Sequence, residues 1–198
     1  TVDLAQAFDR RCTLPGTPGW FRPDPALLAA KKAEYDARWP GRRRIGISWR
    51  SARAMRGEDA KSIPLAALAR TLSLPDTVFI DLQYGDAGAE VQALAQQGLP
   101  APWRDPAVDT TQDLDALAAQ LGALDHVVST SNTTVHIAGA LGVPTTVLLP
   151  RTWPVRWHWG YQGEQTSWYG SVRLLRNPQE QGWEALDRAL SERLALSI

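Results

Sequence analysis

Apolar positions along this chain come in two rhythms. Short aliphatic runs with little polar alternation stand at RIGISW (44–49), TVFIDL (77–82), HVVS (126–129), TTVLL (145–149) and VRLL (172–175). Such runs predict strands buried on both faces. Between them the spacing turns helical. Asp24 as N-cap and Pro25 at the first helical position predict a helix to about Arg38, ended by Pro40-Gly41. Ile63-Pro64 opens a helix through Leu72, and Asp86 to Gln97 forms another that stops at Gly98. Further helices are predicted over Gln112–Leu121 and over Thr133–Leu141, the latter ended by Gly142. The last runs from Trp183 to Leu196, with Trp183, Leu186, Leu190 and Leu194 on one stripe. Residues 100–108 read as irregular, with at most a short strand.

Apolar strands alternating with helices predict an α/β fold with a parallel sheet covered on both faces. Right-handed crossovers reduce the choices to a doubly wound, Rossmann-like sheet. Residues 1–40 read as an N-terminal arm and helix, and residues 41–198 as the sheet domain.

Composition narrows the function. The 198 residues carry a formal net charge of zero, which speaks against a nucleic-acid partner. The charge is uneven, however: Arg42, Arg43, Arg44, Arg50, Arg53, Arg56 and Lys61 crowd one segment. Such a cluster points to a local anionic ligand or to a solvated face. A single cysteine, Cys12, excludes an internal disulfide and a cysteine metal cluster. No run is long and apolar enough to span a bilayer, and no signal peptide is visible. The expected location is cytoplasmic, with peripheral attachment at the inner membrane as an option. A first residue of Thr1 reads as a fragment of a longer protein.

Three stretches carry candidate chemistry, each at the carboxyl end of a predicted strand, where doubly wound sheets bind ligands. In VVSTSNTTVHIAGALGVPTTVLLP (127–150) a strand ends in Ser131, Asn132, Thr133 and Thr134, and a helix begins. Unpaired first-turn N–H groups and the helix dipole make an anion site there, and phosphate is the usual occupant. Ala138, Gly139 and Ala140 would let that helix approach the sheet. The bland reading is an N-cap followed by packing residues, with His136 a packed histidine. WRSARAMRGEDAKSIP (49–64) brings Ser51, Arg53, Arg56 and Lys61 to the same edge, or is a solvated loop. FIDLQYGD (79–86) sets Gln83 and Tyr84 where a base or ribose would rest, or is a plain turn capped by Asp86. Asp113-Leu114-Asp115 reads as a helix cap rather than a metal motif, and the histidines lack metal-ligand spacing. Trp153, Trp157, Trp159 and Trp168 either line a cleft or cover the sheet's end.

GISWRS (46–51), KSIPLAALA (61–69), DLQYGD (81–86), LDHVVSTSNTTVHIAGALGVPTTVLLP (124–150) and SWYGSVRLLRN (167–177) together resemble the heptosyltransferase-like glycosyltransferases of family 9. They look most like the bacterial branch in which this domain follows tetratricopeptide repeats. The resemblance covers roughly residues 40–190. It implies one half of a GT-B fold, the C-terminal half that binds a nucleotide-sugar donor. It places Asn132, Thr133, Thr134 and His136 in the diphosphate loop, Lys61 at a basic phosphate contact and Gln83 at the nucleotide-contacting turn.

The expected donor-binding set is Ser51, Arg53, Lys61, Gln83, Tyr84, Ser131, Asn132, Thr133, Thr134, His136 and Arg156. His136 and Lys61 are the candidates to stabilise the leaving group. No general base is evident, and the resemblance would put it on the missing N-terminal half. The expected function is therefore transfer of a sugar to a hydroxyl of a glycan, lipid or protein by the full protein, the isolated chain binding donor without transferring. No metal and no cofactor are expected, the nucleotide sugar being a substrate. A non-enzymatic nucleotide-binding or scaffolding module, and half of a nucleotide-sugar epimerase, are the alternatives.

Overall fold

Six parallel strands build one sheet: β1 (Arg43–Ser48), β2 (Thr77–Asp81), β3 (Trp103–Arg104), β4 (His126–Thr130), β5 (Thr145–Leu149) and β6 (Val172–Arg176). They come from a computed structural model that describes residues 19–51, 62–149, 157–160, 162–177 and 182–196. The strand order is β3-β2-β1-β4-β5-β6, all neighbours parallel. This is the doubly wound Rossmann order, and the crossovers reverse direction between β1 and β4.

The helices are α1 (Pro25–Arg38), α2 (Ala69–Leu72), α3 (Gly88–Gln96), α4 (Leu114–Gly122), α5 (Thr133–Leu141) and α6 (Trp183–Leu196). A 3-10 turn, Leu65–Leu68, leads into α2. The expected single helix over 63–72 is thus two short pieces. Asp24 caps α1 as expected, accepting from Ala26 N and Leu27 N. Gly142 ends α5 in the left-handed region, at φ 79°.

Alternate residues of each strand face opposite layers. Ile45, Ile47, Val128 and Leu148 pack with Leu65, Leu68, Leu94, Leu186, Leu190 and Leu194. Ile80, Val127 and Leu82 pack on the other face with Tyr35, Leu117, Leu121 and Ala138. Gly46 points to that second face because Leu82 and Leu124 fill the space: a Cβ there would lie 2.4 Å from Leu82 Cδ1.

The helix α1 is stapled to the sheet by buried polar chemistry that periodicity does not reveal. Buried Asp105 accepts from Tyr35 Oη and Lys31 Nζ, both at 2.8 Å, and Gln120 donates to Tyr35 Oη at 2.9 Å. Burial pushes the Asp105 carboxyl up, but hydrogen bonds from Lys31, Tyr35 and Ala107 and the Lys31 charge outweigh it and hold the pKa low. On the opposite layer buried Asp187 of α6 accepts from Arg70 N, Thr71 N and Thr71 Oγ1, which fixes α2. Among the described residues no helix is long and apolar enough to cross a membrane.

Candidate functional site

The carboxyl ends of β1 and β4 meet at the switch point, and a hydrogen-bond network joins them. Asn132 caps α5, its Oδ1 accepting from Thr134 N at 3.0 Å and from Ser129 Oγ at 3.1 Å. Its Nδ2 donates to Ser48 Oγ at 2.8 Å. The side chain therefore has two functions: it satisfies one orphan N–H of the helix and it holds β4 against β1. The remaining first-turn N–H groups of α5 have no intrahelical acceptor and face the same edge.

Gln83, at the end of β2, completes the network. Its Oε1 accepts from Trp49 N and Arg50 N at 3.0 Å each, and its Nε2 donates to Arg50 O at 3.0 Å. Its own N–H is held by Asp81 Oδ1 at 2.7 Å. Asp81 is buried, which pushes its pKa up, and the Gln83 N–H and Arg104 oppose that rise only in part. Gln83 is expected to touch the nucleotide; the structure turns its side chain inward and commits it to the backbone after β1. It shapes the site from beneath, because an amide buried there must spend its hydrogen bonds on whatever backbone it covers.

A cavity of about 640 Å³ opens on this edge. Leu82 and Leu117 supply apolar lining, Tyr84 and Leu114 stand exposed beside it, and Asn132, Thr133 and Thr134 line it from the first turn of α5. Arg50 and Ser51 line it from β1, and Thr110 and Thr111 from the loop before α4. Arg50 is fixed by Glu90, Nε to Oε2 at 2.8 Å, and by Asp86 O, Nη2 at 2.6 Å. Glu90 also accepts from Trp49 Nε1. Buried Thr110 Oγ1 has no hydrogen-bond partner among the described residues. The arrangement suits an anionic ligand with a flat apolar part: cation and helix N-terminus on one side, Tyr84 and leucines on the other.

Of the expected set, Ser51, Tyr84, Asn132, Thr133 and Thr134 converge on the cavity. Ser131 instead accepts from Trp159 Nε1 at 2.8 Å, and Trp159 is buried with Val135, Val147 and Val172. For this tryptophan the covering role is the observed one. His136 stands behind the first turn, stacked on Trp159 with ring centroids 5.4 Å apart and 3.1 Å from Tyr169 Oη. Gly139 does not serve approach to the sheet as expected; it makes room for Tyr169, whose ring would lie 2.6 Å from a Cβ there. Arg53, Arg56, Lys61, Trp153 and Arg156 lie outside the described residues.

The basic cluster divides. Arg42 donates to Thr77 O, Arg43 to Leu194 O, and Arg44 pairs with Asp36 and Asp125. These three sit at the amino end of β1, the far end of the strand from the cavity. Arg50, with Thr110, Thr111 and Leu114, is a cavity residue that the expected set omits. The signal for Arg50 was its place directly after a strand's carboxyl end. The loop at 110–114 was hidden by the shortness of β3, only two residues long. Asp113 caps α4, accepting from Ala116 N at 2.9 Å, so the Asp-x-Asp begins a helix as its sequence context predicts.

No family model matches this chain. Protein FlbA of Caulobacter vibrioides is 33% identical over 182 residues, covering 91% of this chain and 28% of FlbA. A family 9 glycosyl transferase of Veillonella parvula superposes with a TM-score of 0.64 at 14% identity, over 90% of this chain and 54% of that one. The ADP-heptose LPS heptosyltransferase II of E. coli superposes with a TM-score of 0.56 at 16% identity, over 93% and 56%. The chain thus spans about half the length of these structures and under a third of FlbA. It has a glycosyltransferase-like, Rossmann-type α/β fold.

Proposed function

We propose that this chain is the nucleotide-sugar donor-binding, C-terminal half of a two-halved GT-B glycosyltransferase. One observation carries the reading. The first turn of α5, capped by Asn132, and the fixed guanidinium of Arg50 line one cavity at the switch point, together with Tyr84 and three leucines. A diphosphate suits the first pair and a base the second. Glycosyltransferase-like fold neighbours support the choice of a nucleotide sugar over other phosphorylated ligands.

In sugar transfer the nucleoside diphosphate gains negative charge as the glycosidic bond breaks. First-turn N–H groups and Arg50 would stabilise that charge without moving, a contribution of roughly 3–4 kcal/mol of barrier for one well-placed donor. Lys61 and His136 are proposed to add to it. The acceptor hydroxyl must lose a proton to a base. Among the described residues lining the cavity, none is a carboxylate or a histidine. The base is therefore assigned to the other half of the longer protein, and the isolated chain to binding. The acceptor is a hydroxyl of a glycan, lipid or protein, the longer protein carries tetratricopeptide repeats, and the reaction runs without a metal in the cytoplasm.

Titration of the chain with UDP, ADP, GDP and CMP tests the binding, and incubation with the matching nucleotide sugar tests the division of labour. Binding of one nucleotide without turnover is expected. Efficient transfer by the chain alone contradicts the assignment of the base, and isomerised donor identifies an epimerase.

A further inference from the structure

We infer that a second cavity, beside the first, binds a neutral sugar through Arg104, Asp86 and Asp109. It has a volume of about 760 Å³ and lies at the carboxyl ends of β2 and β3. Both cavities touch Thr111, and consecutive residues divide them: Tyr84 lines the first and Gly85 the second.

Three charged side chains line this cavity with hydrogen-bonding capacity unspent. Arg104 is pinned through one nitrogen: Nη1 donates to Gly85 O at 3.0 Å, and to Gln83 O and Asp81 Oδ2 at 3.3 Å each. Among the described residues its Nε and Nη2 have no acceptor. Asp86 Oδ1 accepts from Gly88 N at 2.8 Å. Asp109 Oδ1 accepts from Thr111 N at 2.8 Å and from Thr111 Oγ1 at 2.6 Å. These turn bonds hold each carboxylate in place through one oxygen, and neither Oδ2 has a donor among the described residues. Pro102, Pro106 and Val91 add an apolar wall.

A guanidinium only donates and an ionised carboxylate only accepts, whereas a hydroxyl does both. Neighbouring hydroxyls of one sugar ring therefore satisfy all three groups, and the ring's C–H faces rest on the prolines. Other ligands meet a conflict. An anion would face two carboxylates beside a guanidinium already paired with Asp81. Hydrogen bonds from Thr111 and Gln112 and the charge of Arg104 hold the Asp109 carboxyl below its ordinary pKa, so it is ionised at neutral pH. A metal ion needs several ligands at once, and among the described residues no three acidic, histidine or cysteine side chains come together to hold one. The sugar site stands on this geometry alone. Its place beside the first cavity makes the sugar part of a glycan acceptor, a step that rests on the donor reading.

An amide-detected NMR titration of the chain with glucose, galactose, mannose and N-acetylglucosamine tests the site, with spermidine as the cationic control. At least one sugar is expected to saturate, shifting Gly85, Gly88 and Arg104 and leaving Thr133 and Thr134 in place. Asp86→Asn and Asp109→Asn keep an oxygen for the turn and put an NH2 group where the unpartnered oxygen stood. Each should weaken sugar binding about tenfold, the scale of one hydrogen bond to a charged group. No saturation by any of the four sugars, shifts confined to Thr133 and Thr134, or saturation by spermidine alone would overturn the inference, and these parent-chain results decide even where a variant does not fold. Parent affinity in either folded variant would overturn it too. Sugar binding at Gly85 and Gly88 in a chain that takes up no nucleoside diphosphate would uphold this site and defeat the donor reading.

Discussion

Asn132 Nδ2 donates to Ser48 Oγ over 2.8 Å, joining the ends of two neighbouring strands whose crossovers leave in opposite directions. That bond ties the cavity-lining Asn132 to β1, and the same carboxamide caps the helix whose first turn lines the cavity. Asn132→Ala is expected to lower stability by about 1–2 kcal/mol, the range for a lost N-cap. It should also abolish measurable binding of a nucleoside diphosphate. Urea denaturation and calorimetry check the two effects. Full retention of binding in a destabilised variant would show that the cap is structural alone.

Gln83→Met should be the more damaging change, although Gln83 faces away from the cavity. It leaves Trp49 N and Arg50 N without their acceptor. At about 1–3 kcal/mol for an unsatisfied buried group, a loss of roughly 2–4 kcal/mol is expected in urea denaturation.

Acid should weaken the fold through one buried histidine. Burial, then the charges of Arg43 and Arg193, push the His126 pKa down to about 4 from 6.5. Above pH 6.5 both folded and unfolded states hold it neutral, so it has no effect. As the pH falls from 6.5 toward 4 the unfolded chain takes a proton that the folded one refuses, and stability drops, by roughly 3 kcal/mol in full. The Asp105 carboxyl, with its lowered pKa, acts only below the ordinary value of 3.8. Denaturation of the parent chain and of His126→Gln between pH 7.5 and 4.5 separates the two. The variant should lose most of the slope.

Tyr84 is half exposed at the cavity wall, so its removal should leave the fold intact. Tyr84→Ala is expected to cost less than about 0.5 kcal/mol of stability. Nucleotide affinity should fall about tenfold, the scale of one base–aromatic stack.

The architecture was legible because buried parallel strands leave unbroken aliphatic runs. The runs at 145–149 and 77–82 and the caps at Asp24, Asn132 and Gly142 fall where the pattern puts them. The carboxyl edge as a place for a ligand followed from topology alone. What was not legible depends on which way a side chain points. Gln83 reads as a polar residue after a strand whether it faces a ligand or a buried backbone. Arg42, Arg43, Arg44 and Arg50 are close in sequence, yet a strand of six residues separates its ends by about 20 Å. Asp105 and Asp187, both buried, look in the sequence like any solvated carboxylate. Apart from the Ala107 N–H on Asp105, their partners come from residues 70 or more positions away.

Calorimetric titration of the chain with nucleoside diphosphates, alongside the corresponding nucleosides, tests the central claim most directly. One saturable site is expected, at least tenfold tighter for one diphosphate than for its nucleoside and lost in Asn132→Ala. Absence of binding by every diphosphate, or equal affinity for nucleoside and diphosphate, would contradict it.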